Sequence, residues 1–387
     1  MLYGGNRDML QYLAFQNNGV VQLDRRFGGG ELGWKRQMDV FGLPVELASG
    51  VAYNYQGEQR KGRDNLAGRK GQLKRNEYNR TVSREAYLIS TWELSPRWQL
   101  VAGLRHNRFK FDSSDKYLID GKDDSGSVKY NKTNPAVGLN WQLPTQLSLY
   151  TAVGQGFETP TLQEVAYRPD GQTGFNSDIK PSVSRNAEIG AKWRSVGTSV
   201  DVALFHTKVK DEIVTFANVG GRATYANAAR SIRRGLELSV EQDMGFGLVG
   251  YLAYTLLDAK YDKYNGQSGR HDNKKLPGVA RHAYYAELAW QPEALPLETA
   301  IEAQGMSKRY ATDDNQHHAD GYYTFNWRAS YRHAVGGFAL EPFVRVNNLN
   351  NKSYIGSLIV NGSGERYYEP AARRNWLVGL GAEYRWE

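Results

Sequence analysis

The chain has 387 residues, a formal charge of +8 and no cysteine, and although only 40% of it is hydrophobic it carries 25 Tyr, 9 Trp and 41 Gly. Mean hydropathy is −0.62, and no run of about 18 apolar residues occurs, which excludes a helical membrane protein; an aromatic share of 12% excludes a disordered chain, since such residues bury surface. Lys and Arg are interleaved with Asp and Glu along the chain, so the basic balance does not read as nucleic-acid binding.

Met1-Leu2-Tyr3-Gly4-Gly5 reads as the end of a strand and has none of the features of an export signal. The expectation is a chain that starts inside a barrel, either as a fragment or from a mis-assigned start. A long connection is expected from Gln59 to Glu77 and a short one from Leu94 to Trp98. Trp98, Leu100, Ala102 and Leu104 then alternate with Gln99, Val101 and Gly103, the period of a strand with two unlike faces. After a long loop from Asp112 to Lys129 and a turn at Gln142–Gln146, the alternation returns, with Leu147, Leu149, Thr151 and Val153 opposed to Ser148, Tyr150, Ala152 and Gly154. Further long connections are read at Phe157–Arg185, Asp262–Val279, Ala311–Gly321 and Ser353–Arg373, and short ones at Arg194–Thr198, Asp243–Gly247, Gln291–Leu297 and His333–Gly337. Tyr323, Phe325, Trp327, Ala329 and Tyr331 share one face, with Thr324, Asn326, Arg328, Ser330 and Arg332 on the other. Phe338, Leu340, Pro342, Val344 and Val346 oppose Ala339, Glu341, Phe343, Arg345 and Asn347, with Pro342 expected to disturb the ladder. The last segment puts Trp376, Val378, Leu380, Ala382, Tyr384 and Trp386 on one side, an apolar face with aromatic ends.

Aromatic ends on an apolar face, charges on the other face and alternating short and long connections predict an all-β fold. It is a transmembrane antiparallel up-and-down β-barrel in an outer membrane, with about 15 to 16 strands in this chain. The predicted register turns Trp376, Val378 and Leu380 to lipid and Glu383 and Arg385 to the lumen, and leaves the first and last strands unpaired on one side.

Four segments carry a family resemblance: Gly154-Gln155-Gly156-Phe157-Glu158-Thr159-Pro160-Thr161-Leu162-Gln163-Glu164, Arg234-Gly235-Leu236-Glu237, Val346 to Tyr354, and the final strand. Together they resemble the C-terminal barrel of a TonB-dependent receptor. The run Ile359–Pro370, followed by Arg374-Asn375, together with Tyr167-Arg168 to Lys180-Pro181-Ser182, is similar to the receptors that import pyrroloquinoline quinone, a branch formerly grouped with siderophore receptors. The resemblance implies a barrel of about 22 strands, of which residues 1–387 would be an N-terminally truncated part, the plug domain, TonB box and first strands being absent. It also implies energy-coupled uptake of a scarce anionic small molecule with the TonB–ExbB–ExbD complex as partner. Outer-membrane lipid and lipopolysaccharide would surround a monomer that takes no nucleic acid, cofactor or metal and performs no chemistry on its ligand. A ferric siderophore is the alternative cargo. A passive 16-stranded porin is the rival from another class, and no acidic constriction-loop motif supports it. An outer-membrane protease or phospholipase needs a rim-located catalytic set, and none is legible.

The candidate ligand residues are Arg366, Tyr367 and Tyr368, because a cation beside paired aromatic rings grips a planar anion by hydrogen bonds and stacking. Glu158, Arg168 and Arg222 complete the candidate set. Glu158 can equally serve the turn that Thr159-Pro160 forms. Arg168, Lys180, Arg222 and Arg270 can equally be a solvated rim. Asp313, Asp314, His317, His318 and Asp320 place hard and imidazole ligands close in sequence, but they match no metal-site spacing and read as a polar loop tip.

Overall fold

The computed structural model describes the chain apart from residues 14–18, 171, 173, 220–221, 228–229, 267–268 and 385–387. Seventeen strands form one antiparallel sheet, and one of them, His333–Val335, is a three-residue piece that pairs only with Phe338–Leu340. The others are Leu2–Tyr12, Val20–Val40, Leu43–Leu66, Arg69–Ser95, Trp98–Asp115, Gly126–Gln142, Leu147–Glu158, Ser182–Ser195, Thr198–Lys210, Arg230–Asp243, Leu248–Lys263, His282–Trp290, Leu297–Met306, Tyr322–Tyr331, Phe338–Asn347 and Asn375–Tyr384. Each pairs with the next in sequence, the up-and-down order expected. Among the described residues, no register joins Leu2–Tyr12 to Asn375–Tyr384, so each of these two strands is paired on one side only.

The period-two pattern sets the faces. Leu88, Leu104, Val153, Ile189, Leu204, Leu288 and Ile301 lie on one side of the wall and are exposed; the other side carries charges. A lipid-facing band accounts for both facts, since hydrocarbon takes the place of a core and lumen positions stay polar. Aromatic residues rim the band where the short turns lie. Trp98 stacks on Trp141 with centroids 5.1 Å apart, Phe338 meets Tyr384 at 4.6 Å, and Trp193 and Trp290 hold the same place on their strands. Tyr284, Tyr323, Phe325 and Trp376 form the opposite rim. The last strand follows its predicted register as far as it is described: Trp376, Val378 and Leu380 are exposed beside Val346, Val344 and Pro342. Glu383 pairs with Arg332 at 2.7 Å on the other face. Arg385 and Trp386 lie outside the described residues.

Some boundaries differ from the sequence reading. The expected loop Gln59–Glu77 is a hairpin in which two strands of 24 and 27 residues run on past the lipid-facing band. It closes on Ala67 and Gly68, both at positive φ (50° and 85°). Its interior is polar, so alternation of apolar residues gave no signal there. A connection from 211 to 229 was missed; it holds a small hairpin, Ile213–Val219 with Arg222–Asn227. Pro342 sits in a regular strand, but the ladder to the preceding strand breaks beside it. Pairing stops at Ser330↔Phe343 and resumes at His333↔Leu340, which places the proline where no donor is needed.

Candidate ligand-binding mouth

The long connections fold into two assemblies above the wall. The first joins 116–125, 159–181 and 211–229 around buried Phe111, Tyr130, Val165, Phe175 and Ile179, with Tyr225 packed against them. The Pro-Thr-x-x-Glu part of the loop motif has a local mechanical role here. Glu164 Oε2 accepts from Thr161 N at 2.7 Å, Thr161 Oγ1 accepts from Glu164 N, and the pair caps the short helix Leu162–Val165. Tyr130 donates to Ile179 O at 2.9 Å, and Asn227 Nδ2 donates to Lys180 O at 2.7 Å. Arg75 joins this assembly to the wall through Glu77 and Tyr167.

The second assembly joins 264–281, 307–321 and 348–374, with Asp313 at its centre. Its carboxylate accepts from Tyr261 Oη at 2.7 Å, Tyr264 Oη at 3.3 Å and Asn361 Nδ2 at 2.9 Å. Burial, then the Asp313 charge, holds the Tyr264 hydroxyl well above the usual tyrosine range. Tyr367 is buried, with its ring 4.8 Å from that of His317 and 5.9 Å from that of Tyr368. Its hydroxyl is also raised, by burial first and then by Glu365, Asp314 and Tyr368. Arg309 is buried and donates to Ile355 O at 2.7 Å and Gly356 O at 3.4 Å, anchoring the last loop by its backbone. Gly362 is required where it stands, because a Cβ there would lie 2.5 Å from Arg366 O.

The candidate residues from the sequence are divided between these assemblies. Arg366, Tyr367 and Tyr368 are consecutive in the second, with Arg366 and Tyr368 exposed. Arg168 belongs to the first, where Asp170 holds it at 2.6 Å and Asp178 at 3.9 Å. Glu158 ends its strand opposite Ser182 and is exposed. Arg222 opens the strand Arg222–Asn227, and its side chain lies outside the described residues. Arg270 is paired with Asp272 at 2.5 Å. The Asp/His run is dispersed: Asp313 binds tyrosines, His317 packs on Tyr367, and His318 meets Asp320 at 3.5 Å. Among the described residues, no three His, Asp or Glu side chains converge as a metal set.

Below the mouth, the lumen face carries an ion-pair ladder that sequence reading did not single out. Glu302 is buried and accepts from Arg345 at 2.9 and 2.5 Å and from Asn326 at 3.2 Å. Arg328 reaches Glu287 at 2.9 Å, Glu298 at 2.5 Å and Glu302 at 3.3 Å. The signal available in sequence was the sharing of one strand face by Glu298 and Glu302, by Arg328, and by Arg345 on three successive strands.

The family model described as "TonB dependent receptor-like, beta-barrel" matches residues 2–349. The chain belongs to the TonB-dependent receptor β-barrel family. Members of this family are outer-membrane β-barrels of Gram-negative bacteria, and the apolar band with its aromatic rims fits that location. Two curated relatives are the probable TonB-dependent receptor BfrD of Bordetella pertussis and the probable TonB-dependent siderophore receptor PiuA of Acinetobacter baumannii. The first is 27% identical over 69% of this chain and 37% of its own length. The second is 25% identical over 80% of this chain and 42% of its own. The crystal structure of the PiuA siderophore receptor superposes with a TM-score of 0.77 at 16% identity, covering 98% of this chain and 60% of that one, which bears on the fold. The chain thus spans about two fifths of the length of these curated relatives. Both are named as receptors and neither as an enzyme.

Proposed function

We propose that this receptor barrel takes up a scarce anionic small molecule at its loop-side mouth and passes it inward by energy-coupled transport. The observation that carries the reading is the second loop assembly. Arg366 and Tyr368 stand exposed beside a buried Tyr367, on a loop tied down through Asn361 to Asp313. A cation next to aromatic faces on a fixed backbone suits an anionic, partly aromatic ligand. In this reading a plug domain occupies the lumen, and the TonB–ExbB–ExbD complex supplies the work. A ferric siderophore is the cargo favoured by the relatives, one of which is named a siderophore receptor. Pyrroloquinoline quinone is supported by the resemblance of the segments 359–370, 374–375 and 167–182.

The test is uptake in cells carrying the full-length receptor, with a labelled ferric siderophore and the quinone offered separately at limiting concentration. TonB-dependent uptake of the siderophore is expected, reduced about tenfold by Arg366→Ala with surface expression unchanged. Uptake that persists without TonB would refute the coupled mechanism. A response to the quinone alone would move the cargo to that reading, and an unaltered rate in the variant would take Arg366 out of the site.

A further inference from the structure

On a sheet, like charges directly opposite each other across two strands repel and destabilise the pairing. The lumen face contains such pairs and neutralises them: Glu287↔Glu302 and Arg328↔Arg345 are register partners, and the two arginines bind the two glutamates. At some steps of the outward face a cation stands opposite a carboxylate instead, with Arg80 on Asp112 at 2.9 Å and Arg234 on Asp258 at 3.1 Å. At one step it does not. Arg84 is the register partner of Arg108, both are exposed, and neither side chain has a hydrogen bond or ion pair among the described residues. One step further on the same face, Lys110 faces Lys129. Lys110 is held by Asp112 at 2.6 Å, while Lys129 has no acidic partner among the described residues.

The height of this patch is fixed by the pattern. Arg84 lies four residues beyond Leu88 and Arg108 four beyond Leu104, on the face where both leucines are exposed as lipid-facing positions. At about 3.3 Å per residue in a tilted strand, the cations stand roughly 10 Å above the leucines on the loop side. That is where the hydrocarbon gives way to headgroups. Tyr53, the other register neighbour of Arg84, is an exposed ring at the same level, as expected at a membrane interface. The arrangement recurs away from the first patch, where Arg185 faces Lys208 with both exposed and without a carboxylate among the described residues.

We propose that Arg84, Arg108 and Lys129 form an outward-facing site for the phosphate of a lipid headgroup in the loop-side leaflet. A phosphate between two guanidinium groups removes their repulsion and accepts hydrogen bonds from both, which is the geometry arginine favours.

The test uses the purified full-length receptor in uncharged detergent, followed by thermal unfolding. The probes are a bisphosphorylated glycolipid, the same lipid after enzymatic dephosphorylation, and inorganic phosphate. The phosphorylated lipid should raise the midpoint and the dephosphorylated one should not. In the Arg84→Gln/Arg108→Gln variant the lipid concentration needed should rise at least about tenfold. Without lipid that variant should unfold at or above the wild-type midpoint, because the repulsion has been removed; a lower midpoint would mean a merely structural role and overturn the proposal. Lys129→Gln, on a neighbouring strand, should weaken the response in the same direction, and Arg84→Lys/Arg108→Lys should retain it. An equal response in wild type and both Gln variants would refute the site. A response to inorganic phosphate as strong as to the lipid would refute the lipid as its occupant.

Discussion

Replacing Glu302 by Gln keeps the shape of the side chain and removes the charge at the centre of the lumen ladder. Its side chain is 6% exposed, and the carboxylate takes both terminal nitrogens of Arg345. Arg328, the register partner of Arg345, keeps Glu287 and Glu298, so the loss falls on Arg345. It would stand opposite another arginine with its carboxylate partner gone. Breaking a fully buried pair costs about 3–5 kcal/mol. The Arg345 side chain is 35% exposed, and solvent screening brings the expected cost down to about 2–3 kcal/mol. Replacing both partners removes the stranded charge, so Glu302→Gln/Arg345→Met should recover roughly 1–2 kcal/mol relative to the sum of the single variants. Equilibrium denaturant unfolding of the full-length receptor in detergent, read by tryptophan fluorescence, measures all four members of the cycle. A Glu302→Gln cost under about 0.5 kcal/mol, or an additive cycle, would refute the ladder as a determinant of stability.

A charge placed among the lipid-facing residues tests the faces themselves: Leu104→Arg should cost about 2–4 kcal/mol in bilayer stability, whereas the next residue, Arg105, is already tolerated on the lumen side with Glu85 as its partner. An equal tolerance at Leu104 would refute the assignment of faces. Acid should loosen the second loop assembly through Asp314. Burial pushes that carboxyl up, but bonds from Thr312 Oγ1 and Gln316 N, with His271 and His317 nearby, leave it below its ordinary value. A group depressed in the folded state stabilises above its unfolded pKa and loses that contribution as pH falls through the folded one, so protection of residues 311–321 from hydrogen exchange should decline below about pH 4. Asp314→Asn should abolish that pH dependence, and a variant that keeps it would exclude Asp314 as the group responsible.

What could be read from the sequence was what a period of two encodes. The strand faces, the polar lumen and the short turns with their tryptophans follow from side-chain alternation in a bilayer, where hydrocarbon punishes each misplaced charge. The hairpin over 43–95 escaped because beyond the bilayer both of its faces meet polar surroundings, so alternation stops while pairing continues to Leu66↔Arg69. The connection at 211–229 escaped for the converse reason: Val214, Ala217, Ala223 and Ala226 give it the apolar content of a wall strand. The recognised motifs also explain why the candidate site was only partly legible. Thr161 and Glu164 cap a loop helix. Asn348, at φ 54°, accepts from Lys352 N at 2.8 Å and donates to Lys352 O and Ala372 O. These residues build the bases on which loops stand, and a base is what family members with different ligands can share. In the function proposed above, ligand choice would rest on side chains above those bases, such as Arg366 and Tyr368, on a loop held by contacts like Asn361 with Asp313, 48 residues apart. No local pattern encodes a contact of that separation, so the family was legible before the cargo.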